Sequence, residues 1–201
     1  MSPGLRQVIL ARNHALLAPS ALLAPSALLA PSALLAFDGF STHYCTLEAM
    51  RTQGFSAGAL MTKFEHSIEC QVGRDFAWKF WTNVDNWAVV DPAVEWAKLE
   101  GPFIAGTNGR VKPRGADPNE WKLVEVEEGK RAVIEMALPG ATVKFHWNFA
   151  DMTGGGARIT QKVTLEGERT AEYEEGMKLL EQGIPSGMER LIEAMVKAAS
   201  G

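Results

Sequence analysis

Cysteine is scarce in this chain: only Cys45 and Cys70 occur among 201 residues, too few for a disulfide framework or a thiolate-rich zinc site. A reducing cytoplasm suits that usage best. Histidine is almost as sparse, and His14, His43, His66 and His146 nowhere take the short spacings that put two imidazoles on one helix face. Neither a metal nor another cofactor is expected. Basic charge is not in excess, because 20 Lys plus Arg stand against 24 Asp plus Glu for a formal charge of −4, with an isoelectric point near 5.6. The basic stripe of a nucleic-acid binder is missing, so nucleic acid is excluded as the expected partner. H-E-x-x-H and Walker-type motifs are also absent, which leaves zinc-hydrolytic and nucleotide chemistry without a local signature.

What is present first is a repeat. From Ala15 the chain reads ALLAPS three times and then ALLAFD, stopping at Phe37. Pro19, Pro25 and Pro31 interrupt any helix every six residues, since each lacks an N–H and clashes with the preceding turn. No membrane span is expected from it, although the segment is apolar. Arg6 and Arg12 ahead of Leu-Ala runs resemble a secretory leader only loosely. The reading is a low-complexity extension over residues 1–60 without a core of its own, followed by one folded domain over 61–201 for which Met61 is a natural start. All six tryptophans (78, 81, 87, 96, 121 and 147) lie in that second part. Its charge balance is 17 basic against 22 acidic, because Arg6, Arg12, Arg51, Asp38 and Glu48 account for the charges upstream.

Residues 63–72 alternate, with Phe64, His66, Ile68 and Cys70 on the inward face, which predicts a half-buried strand. Phe76, Ala77, Phe80 and Trp81 then fall at helical spacing, and a second short helix follows before Asp91-Pro92 ends it. Short strands are predicted near 94–100, 106–112, 119–126 and 131–138, punctuated by Gly101-Pro102, Pro113-Arg114-Gly115 and Glu128-Gly129. Two stronger ones follow. Ala141, Val143, Phe145, Trp147 and Phe149 alternate inward, and after a hairpin at Gly154-Gly155-Gly156 so do Ile159, Gln161, Val163 and Leu165. From Ala171 to Ala199 the period becomes helical, with Met177, Leu180, Ile184, Met188, Leu191, Ile192, Met195 and Ala199 on one stripe and a bend expected at Pro185. One apolar sheet face and one apolar helix stripe satisfy each other when the sheet curls around the helix. The expected fold is α+β helix-grip: a seven-stranded antiparallel sheet curled around a long C-terminal helix, with two short helices after the first strand.

The stretches FEHSIECQVGRDFAWKFWTNVDNW, LEGPFIAGTNGR, GGGARITQKVTLEG and LLEQGIPSGMERLIEAM carry a resemblance. Together they are similar to the opening strand and short helices, the Gly-Pro-Phe and Gly-Thr turn, the last hairpin and the terminal helix of the START/Bet v 1-like superfamily. Within it the resemblance is to the SRPBCC polyketide cyclase/dehydrase and lipid-transport family. It covers roughly residues 62–200. It implies a deep apolar cavity between sheet and helix, while the reaction, if any, stays open because ligand carriers, cyclases, hydrolases and co-chaperones share the fold.

Given that cavity, Trp96, Phe103, Trp121, Met136 and Phe145, with Trp147, Met177 and Ile184, are expected to surround it, although each taken alone reads first as packed core. His66 and Gln161 are the polar candidates. His66 suits a ligand contact or acid/base work because its ordinary pKa is near 6.5, and Gln161 is the one inward polar residue of an apolar strand, so it needs a partner. The expected partner is a small hydrophobic molecule, aromatic, polyketide-like or acyl, held by a monomer or homodimer. Two alternatives stay open: a cofactor-independent cyclase or dehydratase using His66, and a co-chaperone-like or stress-associated interaction module.

Overall fold

The computed structural model describes residues 62–201. The ALLAPS repeat, the proposed extension, Met61, Cys45, His14 and His43 lie outside the described residues. Strand β1 (Thr62–Cys70) leads into helix α1 (Arg74–Thr82), a 3-10 turn (Val84–Asn86) and the four-residue α2 (Trp87–Val90). Five strands then form a meander, β2 (Val94–Leu99), β3 (Asn108–Pro113), β4 (Asn119–Glu127), β5 (Arg131–Leu138) and β6 (Ala141–Asp151), before β7 (Ala157–Gly167) pairs back onto β1. A 3-10 turn (Thr170–Tyr173) delivers the chain into α3 (Glu174–Ala199), which continues through Pro185. The sheet order is β1-β7-β6-β5-β4-β3-β2 and its pairs are antiparallel, so the architecture is the helix-grip expected from the alternation. No helix among the described residues is long and apolar enough to cross a membrane.

Period-2 patterning decides which face is buried, because a one-residue slip would turn every apolar side chain to water. On β6, Ala141, Val143, Phe145, Trp147 and Phe149 are all buried, and on β7 Ala157, Ile159, Gln161, Val163 and Leu165 match them. The stripe of α3 that closes this face is Met177, Leu180, Ile184, Met188, Leu191 and Met195, with Gly183 and Gly187 on its flank. Ala199, in the last turn, is exposed, and Ile192 is only half-buried.

Two placements differ from the sequence pattern. On α1 the buried residues are Ala77, Trp78 and Trp81, whereas Phe76 is 37% exposed and stacks on Phe80. The large Trp78 indole wins the interior position over Phe76 because it meets Phe149 and Phe103 edge-on. Trp96 is the second correction. A register shift between Val94 and Trp96 breaks the alternation, so Ala97 and Leu99 turn inward while Trp96 faces out beside Lys98, whose Nζ stands 5.1 Å from the indole centroid.

The outer face of β5–β7 is polar and cross-linked. Lys144 lies between Glu135 and Glu166, and His146 shares a 3.3 Å hydrogen bond with Thr164. Burial, followed by the charges of Lys162 and Lys144, holds the His146 pKa below its ordinary value. The unfolded chain therefore binds this proton more readily than the folded one, and stability contributed by neutral His146 is complete above about pH 6.5 and lost as the pH falls below it. His146→Gln should flatten the fall in urea midpoint between pH 7.5 and 5.5. An unchanged slope would show that His146 does not carry that acid sensitivity.

Candidate functional site

The register places three residues side by side across the concave face: His66 on β1 pairs with Gln161 on β7, and Gln161 pairs in turn with Trp147 on β6. Directly opposed residues in an antiparallel sheet hold their Cβ atoms about 5 Å apart, so these side chains are immediate neighbours. Gln161 is fully buried at 0% exposure, Trp147 is buried and His66 half-buried on the edge strand. Both amide atoms of Gln161, Oε1 and Nε2, lack a hydrogen-bond partner among the described residues. Neither neighbour supplies one, although an unpaired buried amide costs on the order of 1 to 3 kcal/mol.

Around that row stands an aromatic wall. Trp81 packs at 5.1 Å from Trp147, 5.4 Å from Phe149 and 5.4 Å from Phe103. It also leans on Trp87, whose Nε1 donates to the Trp81 carbonyl at 2.8 Å, and Trp87 in turn meets Trp121 at 5.3 Å. The stacking is possible because α1 and α2 set their tryptophans against the sheet, and because Gly109, paired with Trp121, has no side chain where the indole lies. A groove of about 310 Å³ between α1 and the loop after β2 opens onto Trp78 and Phe103, with Ile104 on its rim. Both rings touch Trp81, so the groove leads to the aromatic wall.

Of the residues singled out in the sequence, Trp121, Met136, Phe145, Trp147, Met177 and Ile184 belong to one buried cluster, and Phe103 packs half-buried against it. Gln161 and His66 adjoin it through the pairing above, and Trp96 stands outside. Two contributors escaped the pattern. Trp81 read as helix core, but its Nε1 is buried without a partner, as is that of Trp121. Arg190 lies off the apolar stripe of α3, yet its Nε and Nη2 are buried and equally unpartnered among the described residues. Its one signal in the sequence is position, three and seven residues after the buried Gly187 and Gly183 and so on the same flank of the helix. Cys70 is buried, and that burial pushes its thiol up, away from the reactive thiolate. Among the described residues no group of three or more His, Cys, Asp or Glu side chains is arranged to hold a metal ion.

A curled seven-stranded antiparallel sheet gripping a long C-terminal helix is the Bet v 1-like helix-grip fold. The family profile described as polyketide cyclase / dehydrase and lipid transport matches residues 61–199, and the chain belongs to that family. Solved structures agree on the fold. Norcoclaurine synthase from Thalictrum flavum is 14% identical with a TM-score of 0.56, covering 77% of this chain and 98% of its own. Ara h 8.0201 is 18% identical with a TM-score of 0.54, over 68% of this chain and 99% of its own. The ZhuI aromatase/cyclase from Streptomyces sp. R1128 is 12% identical with a TM-score of 0.53, over 70% and 94%. No curated protein matches the chain.

Proposed function

We propose that this protein binds one small hydrophobic molecule, aromatic, polyketide-like or acyl, between the concave sheet face and α3. The observation that carries the reading is the Gln161 amide, fully buried between His66 and Trp147 with both polar atoms unpaired. Sequences do not keep such a group in an apolar interior cheaply, and a ligand oxygen or N–H relieves the cost. Family membership supports the same reading. The test is titration of the folded, monodisperse protein with 1-anilinonaphthalene-8-sulfonate, followed by competition with uncharged aromatic and acyl compounds. Saturable, displaceable binding is expected. Dye uptake that appears only as the protein unfolds would sink the proposal, as would a filled core that refuses every competitor.

The pairing of His66 with Gln161 favours a second reading, a cofactor-independent cyclase or dehydratase in which the cavity folds a reactive chain and His66 moves a proton. Norcoclaurine synthase and an aromatase/cyclase share the fold, which lends it support. Under this reading His66→Ala removes turnover of a poly-β-keto substrate while apolar affinity stays within a few fold. Undiminished turnover would exclude His66 from the chemistry.

A further inference from the structure

The unpaired polar atoms of the interior are unequal in kind. Among the described residues five are donors: Trp81 Nε1, Trp121 Nε1, Gln161 Nε2, and Nε and Nη2 of Arg190. One is an acceptor, Gln161 Oε1. They come from α1, β4, β7 and α3, and Trp81 and Trp121 belong to the buried core cluster that the sheet and α3 share. An indole N–H and a guanidinium cannot accept, so they cannot satisfy one another, and rotating the glutamine amide supplies a single acceptor for the whole set. Nε and one terminal nitrogen form the edge of a guanidinium that grips a carboxylate through two parallel hydrogen bonds. In Arg190 that edge is the part withdrawn from water. A purely hydrocarbon ligand would leave all five donors unpaired, the buried edge of the half-buried Arg190 guanidinium among them.

We infer that the ligand is an oxygenated acid: an apolar ring or chain that carries a carboxylate for Arg190 and further carbonyl or phenolic oxygens for Gln161 and the indole N–H groups. This deepens the ligand-binding reading above and rests on it. Specificity follows from the same inventory. A site with this many buried donors rejects an analogue that lacks the matching oxygens far more strongly than it distinguishes one methylene more or less.

The experiment uses the full chain and three probes on one ring system, 2-naphthoic acid, its methyl ester and naphthalene, read by quenching of tryptophan fluorescence at pH 7.5. The acid is expected to bind at least tenfold more tightly than naphthalene, with the ester between them. In Arg190→Met the acid should fall to the affinity of the ester while naphthalene is unaffected. Arg190→Lys, which keeps the charge and loses the fork, should retain part of the difference. Equal affinity for acid and hydrocarbon in the unmodified protein would overturn the inference and leave hydrophobic binding standing. An acid preference that survives Arg190→Met would overturn the role given to Arg190. Failure of all three probes, together with failure of the dye titration, would remove the underlying reading as well.

Discussion

Alanine in place of Gly109 is expected to destabilise the domain by about 3 kcal/mol, at the upper end of the usual cost of overpacking a core. Gly109 sits on β3 directly opposite Trp121, and a Cβ there would stand within 2.5 Å of three carbons of the indole. The indole cannot swing aside, because Trp87 packs against it at 5.3 Å and Trp87 is tied by its own Nε1 to the Trp81 carbonyl. The clash therefore spreads through the tryptophan row, and the near-ultraviolet circular dichroism should change along with stability. For a domain of this size the thermal midpoint should fall by roughly 10 °C. Gly73→Ala is the control, since its added methyl meets nothing within 4 Å and its φ of −63° is open to any residue. A Gly109 variant as stable as the Gly73 variant would mean that β3 and β4 can separate locally, and that the aromatic wall is less rigid than its contacts indicate.

Gln161→Leu should act in the opposite direction on stability and against binding at the same time. Leucine removes two buried unpaired polar atoms and keeps a similar volume, so the unliganded protein gains about 1 to 3 kcal/mol. The same change deletes the polar anchor on the sheet side of the proposed site, so the affinity for an oxygenated ligand should drop at least tenfold. Urea denaturation without ligand and a titration with 6-hydroxy-2-naphthoic acid, which adds a phenolic oxygen for Gln161 to the carboxylate for Arg190, read the two effects separately. Loss of stability in the leucine variant would show that the amide is satisfied in solution. Unchanged affinity would place the ligand away from the β7–β6 row. Stability given up at a position that binding requires is the usual mark of a functional site.

Much of this molecule was legible in one dimension. The alternation on β1, β6 and β7 and the helical stripe on α3 each leave one apolar face, and the only economical closure is a sheet curled about a helix. Gln161 stood out for the same reason, as a polar residue on an apolar parity. Trp96 and Phe76 depart from the pattern where local geometry overrides parity: a register shift turns one outward, and competition with a larger ring displaces the other.

The sequence by itself thus determined the class of fold, the buried faces and the hairpin that joins β6 to β7, because periodicity is a property of the chain and water enforces it along its whole length. It also named His66 and Gln161 as separate oddities. Only the tertiary structure decided that these two are neighbours, that the indole N–H groups of Trp81 and Trp121 go unanswered, and that Arg190 hides its gripping edge inside. Hydrogen-bond satisfaction depends on which atoms from distant segments meet, and no pattern along one segment contains that information. The imbalance of donors over acceptors, from which the proposed ligand's chemistry follows, exists only once the sheet has closed on the helix.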